Sequence, residues 1–348
     1  MHNHPGLPVA AAALSVLLLA MPASAVDFGG AALHGYASQT YMQTTANQYL
    51  DADTKGTWDN NFLGLVATLP LNDRSKLWAQ LEASTTDSTR FTWFFVDYQF
   101  SDDLRAHAGR VKFPLGLYNE IIDAKYLHVT SLEPLLYQQA ADFVHDSYTG
   151  VGLDYDRQLG SAGAISWQIY GGNSYDTDPP PGSRDRRMFG GRVTYTTPID
   201  GLRAILSAYH TDVQLLVDGH MIGEDRWIAS VDYLHGNWNV KSEYGAHRFR
   251  GVSANAYYVQ VERAFGSKWS LFGRYDDATL DEARRSDLSY FQRTLVVGCN
   301  YNLLSNVSLR LEDHINHGYA LPVASEEVQP GMGRPNWQMV VAGVHVIF

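Results

Sequence analysis

Apolar residues return at every second position in one segment of about ten residues after another, and this constrains the fold more than any other feature. In "KLWAQLEAS" from Lys76, Leu77, Ala79, Leu81 and Ala83 share one face, with Trp78, Gln80, Glu82 and Ser84 on the other. "NVSLRLEDH" sets Val307, Leu309 and Leu311 against Ser308, Arg310 and Glu312. "AISWQIY" sets Ile165, Trp167 and Ile169 against Ser166, Gln168 and Tyr170. Side chains alternate across a strand, so each segment has one oily and one polar face, and the chain reads as all-β. A soluble sandwich gives the same alternation. What separates the two is strand length and the rhythm of the connections.

The connections alternate between tight and long. Tight ones include "LNDRSK" at Leu71, "SDD" at Ser101, "PIDG" at Pro198, "HGN" at His235 and "GSK" at Gly266. Long ones include "TANQYLDADTKG" at Thr45, the stretch from Phe113, "NSYDTDPPPGSRDR" at Asn173 and "GYALPVASEEVQPGMGRP" at Gly318, while "STTDST" at Ser84 is a shortened member of the long set. Short turns on one rim and long loops on the other predict a transmembrane antiparallel β-barrel of about 16 strands. Its lumen is wide enough for water. On this reading Leu77, Leu81, Leu309 and Leu311 face lipid. Trp93, Trp227, Tyr233, Trp238, Trp269 and Tyr301 read as interfacial girdles.

The N-terminus agrees with export. "VAAAALSVLLLAMPASA" is a short apolar run ending in Ala23-Ser24-Ala25, so residues 1–25 read as a signal peptide and 26–348 as one barrel domain. A membrane anchor is the alternative, but the run is short for about 20 spanning residues. The single cysteine, Cys299, allows no internal disulfide. A net charge of −11 argues against nucleic acid as a partner. Abundant aromatics (Tyr 21, Phe 14, Trp 8) beside a slightly negative mean hydropathy fit one apolar and one wet surface averaging out.

Two segments carry a family resemblance. The last strand, "NWQMVVAGVHVIF", places Val340, Ala342, Val344, Val346 and Phe348 on one face and resembles the C-terminal signature of outer-membrane barrels. "AGRVKFPLGLYNE…YLHVTSLEPLL" resembles a segment of the phosphate-selective porins and related anion-passing porins, with Arg110 and Lys112 on its basic positions and Pro114 and Gly116 on its bend. Glu120 and Asp123 follow at once, which departs from an anion-selective pattern. The resemblance implies a bacterial outer-membrane porin in a Gram-negative cell. It also implies a homotrimer among outer-membrane lipid and lipopolysaccharide.

The stretch 113–146 is the third long connection. In general porins that loop folds into the pore, and here it is expected to fold into the lumen as the constriction. "SLEPLLYQQAADFV" suits a short helix with Pro134 in its first turn. The expected constriction residues are Arg105, Arg110, Lys112, Glu120 and Asp123. Arg105 and Arg110 have opposite parity, so both point inward only if Ala108-Gly109 is a bulge. A loop closing over the outside, with the cations on lipopolysaccharide phosphates, is the other reading.

Further inward cations by alternation are His107, Arg192, Arg203, Lys241, Arg274 and Arg310. Inward anions are Glu82, Asp97, Asp154, Asp232, Glu243, Glu262, Asp276 and Glu312. Glu312, His314 and His317 resemble a metal cluster, but positions i and i+3 on a strand face opposite ways. Neither "GxSxG" nor a phosphate-binding "GxxxxGK[ST]" occurs, and no cofactor or metal is expected. Passive diffusion of small hydrophilic or ionic solutes is the function expected. An outer-membrane enzyme or adhesin working through its long loops is the alternative.

Overall fold

The computed structural model describes residues 26–28, 30–84, 89–175 and 183–348. The expected signal peptide lies outside them, as do the centres of the loops after Ser84 and Tyr175. No helix among the described residues is long and apolar enough to cross a membrane.

Strands dominate the chain, and each runs antiparallel to its neighbours. They are β1 Val26–Phe28, β2 Ala31–Thr44, β3 Thr57–Asn72, β4 Ser75–Ala83, β5 Arg90–Gln99, β6 Leu104–Lys112, β7 Ser147–Gln158, β8 Ala164–Tyr175 and β9 Ser183–Thr196. There follow β10 Leu202–Leu215, β11 Met221–His235, β12 Trp238–Phe249, β13 Val252–Phe265, β14 Trp269–Thr279, β15 Phe291–Leu304, β16 Val307–Gly318 and β17 Asn336–Ile347. Sixteen are long, and the three-residue β1 extends along the edge of β2. β17 pairs with β2, from Met339 opposite Thr44 to Ile347 opposite Tyr36, and this closes the barrel. At the seam Phe348 exchanges both backbone hydrogen bonds with Gly35 (2.7 and 2.8 Å).

Turn chemistry sets the two rims. β11 returns as β12 through Gly236-Asn237, where Gly236 takes φ 58, the left-handed conformation such a two-residue hairpin needs. The opposite rim carries the long connections. One holds α1, Ala320–Ala324, and another is Phe113–Asp146.

The barrel is inside out relative to a soluble sandwich. Leu206, Val231, Val259, Leu271, Leu295 and Leu311 are exposed, while Ser207, Asp232, Glu243, Gln260, Arg274, Thr294, Arg310 and Glu312 are buried. Alternation in β16 is therefore as expected: Leu311 is 54% exposed and its neighbours Arg310 and Glu312 are 5% and 1%. Trp227, Trp238 and Trp269 are exposed on the outer face, the last against Tyr301 at 4.5 Å. Trp93 departs from the expected girdle, because it pairs with the buried, inward Gln80.

The outer face should tolerate charge poorly. A charged side chain there at mid-depth costs about 2–4 kcal/mol, and one on the lumen side much less. Leu311→Arg should thus lower the temperature at which the folded, heat-resistant band disappears well below that of Ser308→Arg. Equal temperatures would mean that the faces are exchanged.

The main apolar cluster joins wall residues to the long connections. Phe113, Leu115, Tyr118, Leu135, Leu136, Tyr137 and Phe143 meet Tyr209, Ile228, Tyr258 and Val341 of the wall, with Tyr49 and Leu321 from two other connections. The expected helix in this region is replaced by two 3-10 turns, Leu135–Tyr137 and Gln139–Ala141. Gln138 is extended (φ −65, ψ 130) and separates them. The N–H of Leu135 donates to the Asp276 carboxylate, so a wall side chain takes the role of helix capping.

Candidate functional site

The segment Phe113–Asp146 is tied to side chains of the inner face around much of the barrel. Its first turn is held by β10 and β12: Gly116 N–H donates to Ser207 Oγ (3.2 Å), and Leu117 N–H to Glu243 Oε1 (2.9 Å). Glu243 also accepts from Tyr137 (2.7 Å), Tyr258 (2.7 Å) and Ser230, so a carboxylate with no cationic partner among the described residues is solvated by four donors. Gln260 of β13 donates to Tyr118 (3.0 Å).

Arginines hold the middle. Arg310 of β16 donates to the carbonyls of Lys125 (2.8 Å), Thr130 (3.2 Å) and Tyr126 (3.2 Å). Its neighbour Glu312 accepts from Ser131 N–H. Arg274 of β14 donates to Thr130 Oγ1 (2.6 Å), Leu132 O (3.0 Å) and Glu133 O (3.2 Å), while Asp276 (2.7 Å) balances its charge. Lys125 O also accepts the His128 N–H (3.2 Å), and the guanidinium forks supply further donors along this irregular backbone.

Arg226 of β11 closes the far end. It donates to Asp142 O (2.6 Å), Asp142 Oδ1 (3.0 Å) and Glu224 Oε1 (2.6 Å), and His247 contacts the same Glu224 oxygen at 2.6 Å. Asp142, Glu224 and His247 place ligand atoms within 4.8 Å of one another, a spacing that suits a metal. The guanidinium already stands where a cation would. Glu312 and His314 do meet on the inner face (2.9 Å), but His317 bonds Asn336 instead, so that trio does not assemble.

The five expected constriction residues fall in four places. Lys112 is 5% exposed, lies 2.7 Å from Asp123 and pairs also with Asp146. Asp123 accepts from Gln80 at 3.0 Å. Lys112 and Asp123 thus face one another as expected. Glu120 pairs with Arg192 on β9 rather than with Lys112. Arg105 is exposed, 3.8 Å from Asp156, near the short-turn end of β6. It lines the other mouth, away from Phe113–Asp146.

Arg110 needs a correction. Gly109 does adopt φ 140, but pairing runs unshifted from Ala108 to Arg110 on both sides, so the bulge that would turn Arg110 inward is not there. Arg110 pairs with Phe94, which is 44% exposed, lies over its ring at 5.7 Å and donates to Phe91 O. It stands on the outer face. Pairing with β5 ends at Arg110, and beyond that point Lys112 turns inward.

This arrangement predicts opposite outcomes for the two cations. Lys112→Met leaves Asp123 and Asp146 without their shared counter-charge and should move the reversal potential in a salt gradient toward cations. Arg110→Met should leave it unchanged, since an exposed charge beyond the wall is screened over about 8–10 Å. A shift from Arg110→Met alone would reverse the assignment.

Neither Glu224 nor Arg226 stands among the inward residues expected from alternation. The signal was present: Glu224, Arg226, Ile228, Ser230 and Asp232 are one continuous inner face.

Two histidines of the segment are buried as neutral groups. Burial, reinforced by Arg226, pushes His145 down to about 4, and burial, reinforced by Lys125, holds His128 well below its usual value. The unfolded imidazoles, near 6.5, take up protons first. The packing of the segment should therefore weaken as pH falls from about 6.5 toward 4, seen as added current noise in acid.

The fold is that of an outer-membrane porin. The anion-selective porin from Comamonas acidovorans superposes with TM-score 0.63 at 13% identity, covering 91% of this chain and 99% of its own. The outer-membrane channel DcaP of Acinetobacter baumannii gives 0.62 at 12% (92% and 99%), and Salmonella typhi OmpF gives 0.63 at 12% (93% and 100%). At these identities the likeness is one of fold. No protein-family model and no curated protein matches the chain.

Proposed function

We propose that this chain is an outer-membrane porin through which small hydrophilic or ionic solutes diffuse passively, with Phe113–Asp146 lying in the lumen as its constriction. The observation that carries this reading is the inverted wall: charged and polar side chains of both signs are buried where the segment binds, while large apolar ones are exposed on the outer face. Lys112 with Asp123, and Glu120 with Arg192, put charges of both signs beside the path, where low dielectric and confinement make each one count. Residues 1–25 are removed on export, and the mature barrel sits in lipid and lipopolysaccharide. A homotrimer is the assembly this reading carries.

The test is reconstitution into a planar bilayer. Stepwise, ohmic conductance is expected. A folded barrel that inserts without conducting, yet hydrolyses lipid or binds surfaces, would replace this reading with that of an enzyme or adhesin.

A further inference from the structure

A cavity of about 220 Å³ lies between the β3–β5 wall and the segment, bounded by Phe62, Arg90, Asn119, Lys125, Tyr137 and Asp146 among others. At ~30 Å³ per water it has room for about seven waters, or for one small organic molecule. Three of its lining side chains are chemically unfinished. Asn119 is 1% exposed, and its Nδ2 donates to Phe113 O (2.9 Å) and His145 O (3.1 Å). Those two acceptors fix the amide orientation, and Asn119 Oδ1 is left buried without a donor. Asp146 gives one oxygen to Lys112 and has no partner on Oδ2. Arg90 lies 3.6 Å from Glu82 through Nη2, and its Nε is unmatched.

Two unmatched acceptors and one unmatched donor, buried on residues that line one cavity, point to the chemistry of a ligand. The acceptors call for N–H or ammonium hydrogens, and the Arg90 donor for a carboxylate or other acceptor. Charge agrees. Among the lining residues Arg90 and Lys125 stand against Asp123, Glu133 and Asp146, two formal cations to three anions, so a net positive end is welcome and a purely anionic solute is not. Phe62 and the Tyr137 ring supply apolar surface for a small side chain.

We propose that this cavity is a binding subsite for small zwitterions of the α-amino-acid class, with the ammonium toward Asn119 and Asp146 and the carboxylate toward Arg90. The inference rests on the porin reading for its place on the solute path.

L-valine is the probe, compared with isobutylamine, which lacks the carboxylate, and isovalerate, which lacks the ammonium. In single-channel recordings, L-valine should interrupt the current in a saturable way. Either half-molecule should need about tenfold more for the same block. Arg90→Met should reduce valine to the level of isobutylamine, whereas Arg90→Lys should retain part of the difference. Equal block by all three compounds, or none by any, in a conducting channel overturns the subsite and leaves the porin reading standing. Binding of labelled L-valine to the folded, detergent-solubilised protein is read in parallel. Binding without conductance supports the subsite and overturns the porin reading; neither binding nor conductance overturns both.

Discussion

Deleting Glu133–Phe143 should raise single-channel conductance about twofold or more, because conductance follows the cross-section and field of the narrowest stretch. The deleted residues include Leu135, Leu136, Tyr137, Ala141 and Phe143, all buried against the wall. Their loss frees Asp276, Glu243 and Arg226 from the bonds that Leu135, Tyr137 and Asp142 make, and hands these charges to water. The strands are untouched, so the heat-resistant folded band should persist. Parental conductance from a folded deletion variant would show that the solute path runs elsewhere.

The second large effect is expected at Arg274, the point where wall and segment are most tightly joined. Its side chain is 1% exposed and that of Asp276 is 0%. Arg274→Leu leaves the buried Asp276 carboxylate without its counter-charge and removes a donor from each of Thr130 Oγ1, Leu132 O and Glu133 O. Removing one member of a buried pair costs about 3–5 kcal/mol, whereas replacing both by apolar residues is often close to neutral. The single variant should show noisy, enlarged currents and a lower melting temperature of the folded band. Arg274→Leu with Asp276→Leu should recover much of that temperature. A single variant as quiet and heat-stable as the parent would remove Arg274 as the anchor.

The two variants probe different links. The deletion asks whether the segment limits flow. The arginine asks whether its position depends on a desolvated charge pair. Loss of quiet conduction in both would mean that the pathway width is set by side-chain bonding to the wall, not by the length of the connection.

Sequence alone was enough for the barrel, since a strand's period of two binds neighbouring residues to opposite faces without regard to the rest of the chain. Leu311 outside and Arg310 and Glu312 inside follow from that rule, as do Arg274 with Asp276 and the long break after Lys112. The rule fails where regularity fails. Whether Gly109 shifts the register decides where Arg110 points, and a glycine permits either answer; only the pairing with Phe94 and Thr149 shows that it does not. Within Phe113–Asp146 no period exists to read. Its partners lie far away in the chain, Ser131 with Glu312 and Glu120 with Arg192, and its local helical preference gives way to a wall carboxylate that claims the N–H of Leu135. Alternation is local and was legible in the sequence; the course of the segment is settled by buried carbonyls and charges that must find partners across the barrel, and only the folded chain decides which ones are within reach.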